Sequence, residues 1–137
     1  MQSVNDILKL LTSPNFAEVA EGVLMAEVLL TDQDAATADR NAIREALIAI
    51  VEAEPPHPSA GAAVWALGKL RDESLRPIFI RFMRRAVQKV ESSGGDLFQA
   101  IIALADTGER SLQISRSVND LDLNFSLANK FLHRIDE

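Results

Sequence analysis

The sequence predicts an all-α protein, a single domain over residues 1–137 built as a short α-solenoid of about three stacked antiparallel helix hairpins with capping helices at its ends. Two observations carry this. Apolar residues recur at helical spacing in segment after segment, with proline, glycine and serine between them. The stretch AVWALGKLRDESL (63–75) also returns as AIIALADTGERSL (100–112), without a gap and at an offset of 37 residues. Five of the thirteen positions are identical: Ala63 and Ala100, Ala66 and Ala103, Leu67 and Leu104, Ser74 and Ser111, Leu75 and Leu112. A repeat of that length accommodates two helices and a tight turn.

Taken in order, Ser3 caps a first helix, with Asp6 placed where a carboxylate favours the free donors and dipole of the first turn. Ser13, Pro14 and Asn15 break it. A helix over 16–30 is expected to bury a stripe of Phe16, Val19, Ala20, Val23, Leu24, Val28 and Leu29. TDQDAATAD (31–39) has few large apolar groups and reads as a loop, followed by a helix over 40–53 with Ile43, Leu47, Ile48, Ile50 and Val51 inward. PPHPS (55–59) stops that helix, since proline removes a donor and restricts the residue before it.

A helix over 59–70 combines small residues, Ala60, Gly61, Ala62, Ala63 and Ala66, with the bulk of Val64, Trp65, Leu67 and Leu70. The small positions let a second helix approach, and Trp65 is expected in the core. Ser74 caps the next helix, in which Pro77 falls in the first turn, where a missing donor costs little. Its apolar positions run to Val90, and Ser92, Ser93, Gly94 and Gly95 end it. Helices over 96–105, 110–118 and 123–135 complete the chain, with Gly108 turning between the first two.

Composition bounds the function. The chain has 137 residues and no cysteine, which excludes disulfides, thiolate metal sites and thiol catalysis and suits the cytoplasm. Its first residues lack the basic and apolar regions of a secretory signal. The longest apolar run, near 19–30, is interrupted by Glu21 and Glu27, so no membrane span is expected.

The repeat resembles the HEAT-repeat family, particularly short bacterial HEAT-like repeats whose first helix ends in an Ala to Leu-Gly-x-Leu pattern. Here the carriers are Ala63 to Leu70, the Arg71-Asp72 turn, and Leu75, Arg76 and Pro77 opening the second helix. The likeness covers 58–92, is degenerate over 96–118, and over 16–53 rests on the helix pair with Ala26 and Leu30. The closing segment is expected to cap the stack. The resemblance also implies that the second helix of each hairpin lines a concave face.

Catalytic chemistry is sparse. His57 and His133 lie far apart, with no neighbouring ligand at metal spacing. Asp32 and Asp34 lack the glycine and terminal glutamate of a calcium loop, and Ser59, two residues from His57, has no orienting acid beside it. No glycine-rich phosphate cradle or nucleophile elbow is present. The expectation is a protein that is not an enzyme and carries no cofactor or metal.

Charge is segregated. Residues 1–60 hold ten acids and three bases, residues 61–92 three acids and seven bases, and residues 93–137 seven acids and four bases. Arg76, Arg81, Arg84, Arg85 and Lys89 form a stripe opposite the apolar face of their helix, either a solvated face paired with nearby acids or a contact patch. The resemblance implies that it lies on the concave face, beside Arg40, Arg44 and Glu45 of the preceding unit. A sequence isoelectric point near 4.9 and few aromatics argue against nucleic acid.

A protein partner is expected, meeting the chain through Asp32, Asp34, Asp39, Arg40, Arg44, Arg81, Arg84, Arg85 and Lys89. In size, acidity and lack of chemistry the chain resembles bacterial immunity proteins, which implies a basic toxin domain as the partner. A scaffold or regulatory adaptor is the alternative. A third reading, a bilin lyase or chaperone, follows from HEAT-like repeats in phycobilin lyases and would centre on Trp65 and His57.

Overall fold

The structure, a computed structural model, describes residues 3–88, 94–114, 116 and 119–136. Among them every regular element is helical: α1 (Val4–Leu11), α2 (Phe16–Leu30), α3 (Thr37–Val51), α4 (Ala60–Gly68), α5 (Arg76–Val87), α6 (Gly94–Asp106) and α7 (Leu121–Ile135). Two 3-10 turns, Glu73–Leu75 and Arg110–Leu112, precede α5 and follow α6.

Helix α1 opens with a reciprocal cap, the Asp6 N–H donating to the Ser3 hydroxyl at 3.2 Å and the Ser3 N–H to the Asp6 carboxylate at 3.4 Å. Asn15 caps α2 by accepting from the N–H groups of Ala17 and Glu18. The buried line of α2 is Val19, Gly22, Val23, Ala26 and Leu30, whereas Phe16, Ala20, Leu24 and Val28 of the expected stripe are exposed. The helix is apolar nearly all round, so periodicity does not select its inner face. Close approach selects it: a Cβ on Gly22 would stand 2.8 Å from Leu10 Cβ of α1.

Helix α3 begins at Thr37, three residues before the expected start, which shortens the loop and places Asp39 in the first helical turn. Helix α4 touches α2, α3 and α6 and is buried on most sides, at Ala60, Gly61, Ala63, Val64, Ala66, Leu67 and Gly68. Its small residues admit the neighbours as expected, Gly68 lying where an added Cβ would be 3.2 Å from Ala103 Cβ. Trp65 is only half-buried, a correction to its expected place in the core, with the Lys69 ammonium 4.8 Å from its ring centre.

The cap ahead of α5 is Asp72 and not Ser74; its carboxylate accepts from the Ser74 N–H at 2.9 Å. Pro77 sits in the first turn of α5 as expected. Gly94 and Gly95, expected to end the preceding helix, lie inside the start of α6; Val90, Ser92 and Ser93 fall outside the described residues. Of the helix expected over 110–118, the described residues 110–114 show only the turn Arg110–Leu112, and residues 115, 117 and 118 fall outside the described residues. After that turn Gln113 is extended, and its side-chain amide donates to the Ala105 and Glu109 carbonyls. Asp120 caps α7, which begins at Leu121, two residues before the expected start at 123.

Among the described residues the buried apolar side chains, Ile102 apart, form one cluster that runs from Ile7 in α1 to Leu132 in α7. Contacts link α2 to α4 and α4 to α6, and likewise α3 to α5 and α5 to α7, while α1 covers α2 and α3. Four of the five identical repeat pairs are buried: Ala63 and Ala100, Ala66 and Ala103, Leu67 and Leu104, Leu75 and Leu112.

Candidate protein-interaction surface

The arginine stripe is engaged inside the molecule. Arg81 of α5 forms a two-pronged contact with Glu52, the cap residue that follows α3, and this carboxylate raises the arginine pKa above its ordinary value. Arg85, one turn on, donates to the Val51 carbonyl at 2.7 Å and the Ala53 carbonyl at 3.5 Å and lies 3.4 Å from Glu54. It thereby satisfies carbonyls left free at the carboxyl end of α3 and complements the dipole there. Arg84 points to the far end of the chain and pairs with Asp136, at 2.8 Å from Nη1; its hydrogen bond holds the Asp136 carboxyl below its usual range.

Arg44 of α3 donates from Nη2 to the Ser74 hydroxyl at 3.0 Å and Asp72 at 3.4 Å, and from Nη1 to Glu45 at 2.9 Å. Arg40 donates to the Ala35 carbonyl at 3.0 Å. Lys89 lies outside the described residues. The expected arginines therefore divide into a clamp between α5 and the end of α3 (Arg81, Arg85), a tie to the carboxyl end of α7 (Arg84) and a tie from α3 to the turn before α5 (Arg44). Arg76, noted only as part of the stripe, extends the pattern by reaching Glu109 at 3.3 Å and the Thr107 hydroxyl at 3.1 Å.

The acidic half is arranged differently. Asp32 accepts the Asp34 N–H at 2.9 Å, a local turn, and Asp34 is exposed at the loop tip. Asp39 is half-buried in the first turn of α3, where the helix dipole favours a carboxylate. On α2 stand Glu18, which accepts the Ser13 hydroxyl at 2.7 Å, and also Glu21 and Glu27, with no lysine or arginine anywhere in the helix. None of these six carboxylates forms an ion pair among the described residues.

Beside them runs an apolar surface that sequence periodicity assigned to the core. Phe16, Leu24 and Val28 of α2 are 59%, 67% and 70% exposed, and the Phe16 ring meets His57 edge-on with centroids 5.0 Å apart. His57 is held in the proline-rich segment, its Nδ1 accepting the Ser59 N–H at 2.9 Å. Between α2, α4 and the start of α6 lies a groove of about 390 Å³, lined by Leu24, Glu27, Ala62, Trp65 and Phe98 among others. Its origin is the small residue set of α4: with Ala62 on the outer face, the floor sinks between side chains of the flanking helices.

Among the described residues no group of three or more His, Asp or Glu side chains is placed to hold a metal ion, and no helix is long and apolar enough to cross a membrane. The sequence offered one signal for the groove, the apolar residues on more than one side of 16–30. A scan against protein-family models, a search of curated proteins and a search of solved structures each find no match to this chain.

Proposed function

We propose that this chain is a non-catalytic protein-binding module, a short HEAT-like α-solenoid whose acidic first half receives a basic protein. Its most concrete form is an immunity protein that neutralises a toxic bacterial enzyme by covering it. The observation that carries the reading is the division of charge: the arginines of α3 and α5 are spent on internal contacts, while six carboxylates from Glu18 to Asp39 form no ion pair among the described residues and face outward or into the α3 entry. Unpaired surface carboxylates steer and orient a cationic partner at little cost to the fold. The stacking of α2 with α4 and α6, and of α3 with α5 and α7, supports the solenoid form.

The test is affinity capture from the native cell with stepped-salt elution, followed by mixing the recovered protein with this chain and assaying its activity. The expected result is one stoichiometric basic protein, released by salt, whose activity falls on mixing and recovers when Asp32, Asp34 and Asp39 are changed together to asparagine. Recovery of no stoichiometric protein overturns the reading.

A further inference from the structure

We propose that the groove between α2, α4 and α6 docks an amphipathic helix of the partner, with its apolar side on Leu24 and Trp65 and its flanking lysines or arginines against Glu21 and Glu27. This deepens the protein-binding reading and rests on it.

Three observations meet at this place. The exposed large apolar side chains of α2 all lie in the outer half of the helix, with Leu24 at the crest and Phe16 and Val28 within one turn's width of it. The groove beside them is open, and its walls are the kind that anchor a helix: an aliphatic crest, a half-buried indole and the Phe98 ring over a small floor at Ala62. The third observation decides the occupant. Glu27 lines the groove and Glu21 stands on the opposite side of Leu24, neither forming an ion pair among the described residues, and α2 carries no cation.

A second copy of the chain would bring the same glutamates against these, a like-charge contact that disfavours self-association through this face. An acidic or neutral helix would leave them uncompensated. An apolar stripe bordered by lysine or arginine satisfies both the crest and its rims, and Lys69, 4.8 Å from the Trp65 ring centre, lines the neighbouring cleft between α4 and α6 and not this groove.

Trp65 is the single tryptophan of the chain, so its fluorescence reports on this groove directly. The probe is a synthetic helix of about 18 residues, roughly five turns, with leucine on one face and lysine flanking it, compared with the same peptide carrying glutamate for lysine. The lysine peptide is expected to shift Trp65 emission saturably and to weaken with salt, while the glutamate peptide gives no response. Leu24→Glu is expected to weaken binding about tenfold or more, as loss of a central apolar anchor does. The Glu21→Lys, Glu27→Lys double variant is expected to reverse the preference toward the glutamate peptide.

Equal responses to the two peptides, or Leu24→Glu binding like the unchanged chain, overturn the proposal. A dimer in sedimentation that Leu24→Glu dissociates also overturns it, by making the groove a contact between copies. If a captured native partner binds Leu24→Glu with unchanged affinity, the groove is refuted while the protein-binding reading stands; absence of any partner refutes that reading instead.

Discussion

Asp72 and Glu109, at the same position of the 37-residue repeat, hold equivalent turns. Each carboxylate accepts the N–H and the hydroxyl of the serine two residues on: Ser74 at 2.9 and 2.7 Å, Ser111 at 3.3 and 2.8 Å. Each is then met by an arginine that also reaches that serine hydroxyl, Arg44 in the first turn and Arg134 in the second. The leucine that follows, Leu75 or Leu112, is fully buried. The repeat thus preserves an acid, a serine and a leucine because together they start a 3-10 turn, anchor it in the core and offer a charged handle to a neighbouring helix.

The two turns differ in burial, which separates their expected energetics. The Glu109 side chain is 15% exposed and faces two arginines, Arg76 and Arg134; that of Asp72 is 37% exposed and faces one. Glu109→Gln is expected to cost about 1 to 3 kcal/mol in urea unfolding at neutral pH, because two guanidinium groups lose their charge partner. Asp72→Asn is expected to cost about 1 kcal/mol or less. Equal costs would show that the arginine contacts contribute little beyond the local turn.

Acid should expose the same contacts. Burial pushes the Glu109 carboxyl up, but hydrogen bonds from Ser111, Arg134 and Arg76 outweigh it and hold the pKa below the ordinary glutamate value. A carboxylate with a lowered folded-state pKa stabilises the fold above its unfolded-state pKa, and that contribution disappears as pH falls through the folded value. The Tm gap between the unchanged chain and Glu109→Gln is therefore expected to narrow below about pH 4. Asp96 behaves in the opposite sense. Burial against α4 raises its pKa, with Arg85 opposing, so its contribution is present in acid and is lost as pH rises through the raised value. Relative to the unchanged chain, Asp96→Asn should be more favourable at pH 7 than in acid, and a flat difference across pH would refute the burial argument.

How far the sequence carried the structure depends on the range of the interaction. Local signals were legible: the Ser3 cap, the proline stop, Pro77 at a helix start, the small inner face of α4 and the repeat itself. Choices made by distant packing were not. Leu24 and Val28 have the right period for a core stripe, yet Gly22 lets α1 come close on another side, where Ala26 is also buried, and the larger residues were left outside. Arg81 and Arg84 read as a stripe because their acids, Glu52 and Asp136, lie 29 and 52 residues away in the chain. Nothing in the local pattern of α5 says that those acids return to it.

Left-handed backbone marks the repeat a second time. Arg71 has φ 51° and Gly108 has φ 103°, and the two are related by the same offset of 37 residues. Both follow a helix of the pair, where the chain reverses into a 3-10 turn. A Cβ on Gly108 would meet no atom within 4 Å, so its requirement is purely conformational. Gly108→Ala is expected to cost about 1 to 2 kcal/mol, and Arg71→Gly to gain up to about 1 kcal/mol, both in chemical denaturation. An alanine at 108 without cost would mean that this turn is not held at positive φ in solution.

The arginines of α5 can be sorted by a pair of truncations. Arg81 is 57% exposed and its contact is with a surface carboxylate, so Arg81→Ala is expected to change stability by about 0 to 1 kcal/mol and to lose what effect it has in salt. Arg85 is 30% exposed, lies 5.8 Å from the centre of the Phe82 ring and supplies donors to main-chain carbonyls at the end of α3, which salt does not replace. Arg85→Ala is expected to cost about 1 to 2 kcal/mol, and Arg85→Lys to recover part of it, since a single ammonium reaches one carbonyl where the guanidinium spans two. Reversing Arg81, Arg84 and Arg85 together to glutamate would then place new negative charge against Glu52, Glu54 and Asp136 and against the negative end of the α3 dipole. Its expected effect is loss of fold stability, read by circular dichroism before any binding assay. A triple variant with unchanged Tm would show that the stripe is a solvated face, free for a partner after all.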